Sequence, residues 1–254
     1  MLLKDKVAIV TGGSQGIGKG IARVFCENGA KVVICARNEA KALSAAEEIK
    51  SATGILPFVI AADVSKKPEV EAAVQKTVLK YGGIDILVNN AGIQRFKPFL
   101  EIEEADWDEH YDINVKGAFL FSQAAGRVMV KAGGGKIINI ASDSGVAPIP
   151  DNAAAYCSSK SAMIGLTRNI AKELGRFGVY CNAICPGAIG NTGMMDYFMS
   201  YNKQGEQACI DSSALKRIGT PEEIGKAALF FASDLSGFIT GEHILVTGGD
   251  IMSQ

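Results

Sequence analysis

Histidine and paired cysteine, the usual ligands of structural metal sites, are scarce in this sequence. The 254 residues contain two histidines, His110 and His243, and six cysteines, none of which form a Cys-x-x-Cys motif. A structural zinc site needs a cluster of such ligands, so we expect no metal. The cysteines also lack the paired framework of a disulfide-rich protein, which favours reduced thiols in a reducing compartment.

A dominant charge, a membrane-length apolar run and a secretion signal are also missing. The 26 basic and 27 acidic residues give a formal net charge of -1, whereas nucleic-acid-binding proteins normally carry a basic face. No apolar run reaches the ~20 residues of a membrane-spanning helix, and residues 1–6 lack the basic and apolar regions of a signal peptide. We therefore expect a cytoplasmic protein that binds neither nucleic acid nor membrane.

Short apolar runs alternate with amphipathic stretches along the whole chain. This alternation predicts an α/β fold: a single doubly wound Rossmann-type domain over residues 1–254, with a seven-stranded, mostly parallel sheet and helices on both faces. Ser65 is expected to cap the third helix, which has Pro68 in its first turn and runs to about residue 81. The predicted strands cover residues 7–10, 31–36, 56–61, 84–88, 136–140, 179–184 and 243–246, and the other predicted helices cover residues 17–28, 38–50, 103–131, 155–177 and 221–232.

Residues 187–215 interrupt the alternation, because they combine glycines with methionines and aromatic residues. Loops of this length in compact domains are usually lids or binding loops. The apolar side chains must also pack somewhere. Two compatible interpretations are therefore open: a short helix packed on the surface, and a lid over a substrate.

A glycine-rich turn joins the first predicted strand to the first predicted helix. Glycines allow positive φ angles and let the backbone approach a ligand closely. The start of the helix offers unpaired N–H groups and a partial positive charge to a pyrophosphate. In this position of an alternating fold, the turn predicts dinucleotide binding. Its sequence is Thr11-Gly12-Gly13-Ser14-Gln15-Gly16-Ile17-Gly18.

The end of the second predicted strand indicates the type of dinucleotide. An NAD site usually has a carboxylate there for the ribose hydroxyls, whereas an arginine accommodates the 2′-phosphate of NADP. This chain has Arg37 at that point and no acidic residue before Glu39. Arg37 can bind a phosphate with two hydrogen bonds, and the Ser14 hydroxyl can add another. The pattern favours NADP(H), with NAD(H) beside a solvated Arg37 as the alternative.

A tyrosine and a lysine lie four residues apart at the start of a predicted helix, so they share one face. Tyr156 has a phenol whose usual pKa is near 10, and the cation of Lys160 is expected to bring that pKa towards the working range. Ser142 follows the predicted strand at 136–140, and ligands of doubly wound sheets bind beyond such strand ends. Ser142 is therefore placed to hydrogen-bond a substrate oxygen.

In order and spacing, these motifs resemble the short-chain dehydrogenase/reductase family over essentially the whole chain. The resemblance implies the family's fold and its oxidoreductase activity, as in 3-oxoacyl-acyl-carrier-protein reductases and related carbonyl reductases and alcohol dehydrogenases. It also implies a homotetramer built on the fourth and fifth helices. The matching residues are the glycine turn, Asp63-Val64, Asn89-Asn90-Ala91-Gly92, Asn114, Ser142, Tyr156-x-x-x-Lys160 and Pro186-Gly187.

The resemblance also implies roles for individual residues. Tyr156 would be the acid/base, Lys160 would lower its pKa and hold the nicotinamide ribose, Ser142 would orient the carbonyl, and Asn114 would hold a water in a proton relay. Asp63 and Val64 would lie by the adenine, and Asn90, Ala91, Gly92, Pro186, Gly187, Ile189 and Thr192 would line the cofactor. After Pro186-Gly187 the family usually has Ile-x-Thr, whereas this chain is one residue longer at Ile189-Gly190-Asn191-Thr192. Whether Thr192 contacts the cofactor is left open by this insertion.

Together, these features predict an oxidoreductase that transfers a hydride between NADP(H) and a secondary alcohol/carbonyl substrate, with Tyr156 as acid/base. Within that class an NAD-dependent alcohol, steroid or polyol dehydrogenase is the alternative. A non-catalytic dinucleotide sensor or a structural tetramer on the same fold is the alternative from another class. Such a protein would be expected to lack Tyr156, Lys160 or Ser142, all of which are present.

Overall fold

The computed structural model describes residues 1–147 and 151–251, and in these residues seven strands form one sheet in the order β3-β2-β1-β4-β5-β6-β7. Every neighbouring pair is parallel, so the sheet is wholly parallel where the sequence predicted a mostly parallel one. The predicted doubly wound α/β fold is confirmed. The strands are β1 (Val7–Thr11), β2 (Lys31–Ala36), β3 (Phe58–Ala61), β4 (Ile86–Asn89), β5 (Gly135–Ile140), β6 (Val179–Pro186) and β7 (His243–Val246).

Helices cover both faces of the sheet, because each strand is apolar on both sides. In β1, Ala8 and Val10 belong to one buried cluster and Ile9 belongs to another, as the two-residue period of a strand requires. The first cluster includes apolar residues of α1, α2 and α9, and the second includes residues of α3, α5 and α6. The α-helices are α1 (Gly16–Glu27), α2 (Glu39–Thr53), α3 (Lys67–Tyr81), α4 (Glu104–His110), α5 (Gly117–Ala132), α6 (Ala154–Leu174), α7 (Gly193–Tyr201), α8 (Gly205–Ser212) and α9 (Pro221–Ala232).

The strand order reverses beside β1, which pairs with β2 on one side and β4 on the other. In doubly wound folds the ligand crevice lies beyond the carboxyl ends of the strands at such a point. Thr11 ends β1 and Asn89 ends β4, so the glycine turn and the segment 90–92 open onto the same crevice.

The third helix begins differently from the prediction. Lys66, not Ser65, is the residue that precedes α3, and no side chain caps it, although Pro68 does lie in the first turn. The Ser65 amide and hydroxyl both donate to Asp63 Oδ1, at 2.9 and 2.8 Å. This local turn occupies the Ser65 hydroxyl, and the expected cap is therefore wrong.

The helix predicted at 103–131 is continuous but not uniform. α4 passes through a π-helical segment, Tyr111–Lys116, before α5 begins. Asn114 lies in this wider segment and bonds to backbone outside the helix. The helix predicted at 155–177 ends at Leu174 and continues as one 3₁₀ turn, Gly175–Phe177.

Residues 187–215 contain two short helices, α7 and α8, where one was expected. Aromatic residues of α7 stack on Phe96, with ring centroids 5.7 Å apart for Tyr197 and 4.9 Å apart for Tyr201. The Asn152 amide donates to the Tyr201 hydroxyl at 2.8 Å. The segment is therefore packed against the loop that follows β4. Within the described ranges, none of the helices combines the length and hydrophobicity needed to cross a bilayer.

Candidate active site

A cavity of about 690 Å³ lies at the carboxyl ends of the strands. Every predicted catalytic and cofactor residue lines it except Asn114, which is buried behind the wall. The predicted residues that share this cavity are Gly12, Ser14, Gln15, Gly16, Ile17, Gly18, Arg37, Asp63, Val64, Asn90, Ala91, Gly92, Ser142, Tyr156, Lys160, Pro186, Gly187, Ile189 and Thr192.

The glycine turn packs so closely against its neighbours that side chains on Gly12 and Gly18 would not fit. Gly12 has a φ of 65°, and a Cβ there would lie 2.9 Å from the Ala91 Cα atom. A Cβ on Gly18 would overlap the carbonyl oxygen of Gly12. Asn90 fixes the turn, because its side-chain amide donates to the carbonyl oxygens of Thr11 at 2.9 Å and Gly12 at 3.2 Å. The result is a backbone cradle that a pyrophosphate can approach.

The start of α1 suits an anionic ligand. No side chain caps this twelve-residue helix, and its first turn carries no acidic residue. Its first N–H groups and partial positive charge therefore face the cavity without a competing side chain. The cradle and this helix end together fit a dinucleotide pyrophosphate.

Two cations line the end of the cavity beside β2. One is Arg37, and the other is Lys41, which the sequence reasoning missed. Asn38 caps α2 by accepting a hydrogen bond from the Lys41 amide at 2.9 Å, which places Lys41 in the first helical turn. A cation three residues after a recognisable cap is the signal by which the sequence would have revealed it.

Asp63 is held by its own turn. Burial raises the pKa of this carboxyl, but hydrogen bonds from Ser65 and the charges of Arg37 and Lys66 outweigh burial and hold the pKa below its usual value. The carboxylate is therefore ionised at neutral pH and lies near Arg37, and the two charges partly offset each other at this end of the cavity.

The catalytic candidates come from two adjoining elements. Ser142 follows β5, and Tyr156 and Lys160 lie one turn apart on α6. A Cβ on Gly145 would lie 2.7 Å from the Lys160 carbonyl carbon, so the turn that carries Ser142 packs directly on α6. The Lys160 Nζ donates to the Ile140 carbonyl oxygen at 2.9 Å and lies 5.7 Å from the centre of the Tyr156 ring.

The pKa of Tyr156 is shifted in the opposite direction to the one expected. Burial raises it above its usual value, although hydrogen bonding by Ser142 acts in the opposite sense. Burial also lowers the pKa of Lys160 to about 8. Burial therefore dominates the pKa of both groups, and the expectation that the Lys160 cation favours the phenolate stays a prediction.

Asn114 has three hydrogen bonds and no face on the cavity. Its Oδ1 accepts from the Ile93 amide at 2.8 Å, and its Nδ2 donates to the Ile93 carbonyl at 3.0 Å and to the Ser159 hydroxyl at 2.9 Å. The Asn114 side chain thus joins the wall after β4 to the helix of Tyr156 and Lys160. Its role in a proton relay stays a prediction.

The longer segment after Gly187 still brings Thr192 to the cavity. Asn191 takes a φ of 56°, and the Thr192 hydroxyl caps α7 by accepting from the Met195 amide at 3.0 Å. A Cβ on Gly16 would lie 3.2 Å from the Thr192 Cγ2 atom, so Thr192 packs against the nucleotide turn. Contact with a cofactor at this point stays a prediction.

A buried carboxylate beside Ser142 was also missed. Asp143 lines the cavity and is only 7% exposed. Burial raises the pKa of its carboxyl, hydrogen bonds from Ser142 and Ser144 oppose that rise, and the charge of Asp250 adds to it. An aspartate after a strand is usually a solvated turn residue, so no local signal distinguished it. Among the described residues, no group of three or more His, Cys, Asp or Glu side chains is arranged to hold a metal.

Known proteins are similar to this chain over nearly its whole length. A family model described as enoyl-(acyl carrier protein) reductase matches residues 12–250. A 3-oxoacyl-acyl-carrier-protein reductase of Chlamydia muridarum is 41% identical over 248 residues, covering 98% of each chain. An NAD-dependent glycerol dehydrogenase of Listeria innocua is 36% identical and covers 97% of this chain and 94% of its own.

Among solved structures, a short-chain type dehydrogenase/reductase from Mycobacterium marinum has a TM-score of 0.93 and 36% sequence identity, and the match covers 99% of this chain and 97% of that one. The motif resemblance is thereby confirmed. The chain belongs to the oxidoreductases of the short-chain dehydrogenase/reductase family.

Proposed function

We propose that this protein is an NADP(H)-dependent carbonyl reductase or alcohol dehydrogenase that acts on a secondary alcohol/carbonyl pair. The observation that carries the proposal is the convergence of Ser142, Tyr156 and Lys160 in the wall of the cavity that the glycine turn also lines. A sensor or structural protein on this fold would have no need to keep these three side chains together.

Side chains of the site can supply the proton that carbonyl reduction requires. The buried phenol of Tyr156, with its raised pKa, is protonated at neutral pH and can donate to the carbonyl oxygen of a ketone. Ser142 stabilises the charge that develops on that oxygen, and the charge of Lys160 stabilises the phenolate that remains. When bound, the reduced nicotinamide supplies the hydride that the carbonyl carbon accepts.

The charges beside β2 support NADP(H). Arg37 and Lys41 would hold the 2′-phosphate, Ser14 would add a hydroxyl donor, and no carboxylate ends β2 to take the ribose hydroxyls. The pyrophosphate would lie at the start of α1, beside Gly12, Gln15 to Gly18 and Asn90 to Gly92. Asp63 and Val64 would lie by the adenine. The nicotinamide would lie beside Pro186, Gly187, Ile189 and Thr192. NAD(H) is the second candidate, since a relative of 36% identity is named an NAD-dependent glycerol dehydrogenase.

The proposal extends to the assembly. Large apolar side chains, including Trp107 and Phe119, remain partly exposed on the predicted fourth helix, which α4 and α5 form in the structure. They support the homotetramer that the family resemblance implies, which is built on this helix and on the predicted fifth helix, α6. We further propose that α7 and α8 form a lid over the substrate, since Met194, Met195 and Phe198 line the cavity, and that the protein acts in the cytoplasm.

The test is turnover with a matched pair of variants. NADPH and NADH are titrated into the protein, and their absorbance is followed with ketones, 3-oxoacyl thioesters and sugars as substrates. Tyr156→Phe should abolish reduction and still bind the nucleotide. Tyr180→Phe is the control, because the Tyr180 hydroxyl donates to the Gly237 carbonyl away from the cavity, and it should keep full activity. Nucleotide binding without turnover on any carbonyl compound would contradict the proposal and favour a sensor.

A further inference from the structure

The two carboxylate oxygens of Asp143 differ in their hydrogen bonding. Oδ1 accepts from the Ser142 hydroxyl at 2.9 Å, the Ser144 amide at 2.6 Å and the Ser144 hydroxyl at 3.2 Å. These three donors saturate Oδ1 and hold the side chain in one orientation. Within residues 1–147 and 151–251, Oδ2 accepts no hydrogen bond, although Asp143 is 7% exposed.

The position of Oδ2 is set by the neighbouring loop. It lies 3.3 Å from the point that a Cβ on Gly187 would occupy, so the missing side chain of Gly187 makes room for it. Both Asp143 and Gly187 line the cavity, on the side of Ser142 and Tyr156. Of the described side chains, only Asn89 has a fully buried polar atom without a partner, so Asp143 Oδ2 faces the open space of the cavity, where a ligand or water can donate to it. The unused acceptor is therefore aimed into the part of the cavity where the substrate would react.

The charges on this side of the cavity restrict which chemical groups of a ligand can bind there. Asp250 also lines the cavity, near enough for its charge to act on Asp143. The cationic side chains among the described lining residues are Arg37 and Lys41, at the end beside β2, and Lys160 on α6. Two carboxylates on the substrate side disfavour an anionic group there and favour a hydrogen-bond donor.

We propose that Asp143 is a specificity-determining residue, whose Oδ2 accepts a hydrogen bond from a hydroxyl group on the carbon next to the reacting one. The preferred substrates are then α-hydroxy ketones and the matching vicinal diols. This inference rests on the proposed function and names its substrate class. The Ser142 hydroxyl has a single proton, which it donates to Oδ1 of the same carboxylate and would turn to the substrate oxygen when a substrate binds.

The test uses a pair of substrates of nearly equal shape. Hydroxyacetone and butanone differ by a hydroxyl in place of a methyl group, so the ratio of their kcat/KM values reports the hydrogen bond. In the wild type this ratio should favour hydroxyacetone by about 10-fold or more, the size expected for a hydrogen bond to a charged group. The same comparison of propane-1,2-diol with 2-butanol tests the oxidation direction.

Asp143→Asn separates the two oxygens. An amide can keep a carbonyl oxygen for Ser142 and Ser144 while it replaces the acceptor Oδ2 with a donor. The hydroxyacetone to butanone ratio should fall by about 10-fold or more in this variant, whatever the change in either rate. Ser144→Ala is the control, because it removes one donor to Oδ1 and leaves Oδ2 unaltered, so it should keep the wild-type ratio.

The outcomes are distinguishable. A wild type that reduces both ketones without preferring hydroxyacetone overturns the inference, even if the variant does not fold. An Asp143→Asn variant that folds and keeps the wild-type ratio also overturns it. In both cases the proposed reductase function stands. A wild type that reduces no carbonyl compound overturns the proposed function, and this inference with it.

Discussion

Gly20 of α1 packs directly against Pro221, the first residue of α9. A Cβ on Gly20 would lie 2.6 Å from the carbonyl carbon of Pro221. Since the start of α1 forms the nucleotide cradle, this contact lets α9 position the cradle from behind. Gly20→Ala should therefore lower the free energy of unfolding by about 1–3 kcal/mol, the usual range for inserting a methyl group into a packed contact. Chemical denaturation measures the change.

Gly165→Ala is the matched control for this substitution. Gly165 lies within α6, and a Cβ there would meet nothing within 4 Å. Alanine in a helix interior should raise the free energy of unfolding by about 0.5–1 kcal/mol. Equal effects of the two substitutions would show that the contact between α1 and α9 does not determine stability here.

The two cations beside β2 should discriminate between the nucleotides. Arg37→Ala and Lys41→Ala should each weaken NADPH binding by about 10-fold or more, because each removes a charge-assisted bond to the 2′-phosphate. NADH has no such phosphate, so its affinity should change by less than about 3-fold. Fluorescence titration measures both dissociation constants. Lys50→Ala is the control, since Lys50 is on α2 like Lys41, pairs with Glu47 and does not line the cavity. Equal weakening of NADPH and NADH binding by Arg37→Ala would exclude a contact between Arg37 and the 2′-phosphate.

The lowered pKa of Lys160 should appear in the pH profile. Below its pKa of about 8 the side chain is an ammonium, and above that value it becomes neutral. The kcat/KM for carbonyl reduction should therefore fall as pH rises above about 8, because the charge that stabilises the Tyr156 phenolate is lost. In Lys160→Arg the guanidinium stays charged, so the residual rate should be level between about pH 7 and about pH 9. The same alkaline fall in Lys160→Arg would assign it to another group.

The stacking of α7 on Phe96 should control access to the cavity. Phe96→Ala removes the ring that Tyr197, Phe198 and Tyr201 contact. Release of α7 should raise KM by about 3- to 10-fold, change kcat less, and speed proteolytic cleavage near residues 193–212. Phe238→Ala is the control, because Phe238 is fully exposed and should affect neither quantity. A lower kcat at constant KM would instead place Phe96 among the groups that orient the reacting atoms.

Local patterns were enough to predict the sheet. The apolar runs at Val7–Thr11 and Lys31–Ala36 are buried on both sides, and such runs are visible in sequence alone. The Ser65 cap failed because Asp63, two residues earlier, competes for the same hydroxyl. The π-helical segment was not predicted, and its residue Asn114 bonds to Ile93, 21 residues away, a contact that no local pattern reveals.

The candidate site, like the fold, was predicted only in part. Ser142, Tyr156 and Lys160 were found because their spacing carries the chemistry. The raised pKa of Tyr156 was not predicted, because its largest cause is burial, which depends on the whole fold. Asp143 looks like an ordinary turn residue in sequence, and only the tertiary structure brings it to the cavity. Lys41 was missed although its position three residues after the Asn38 cap is visible in sequence.

The hydrogen bonds of the Asn114 amide reach beyond its own helix. By joining Ile93 to Ser159, this one side chain makes the nucleotide wall and the helix of Tyr156 a single preorganised body. The conformational entropy of these walls is lost when the chain folds, so a ligand does not have to order them on binding. The proposed proton-transfer groups, Tyr156 and Lys160, are thus held in place by contacts that do not involve α7 and α8, so changes in those two helices would alter the substrate side of the cavity and leave these groups in position.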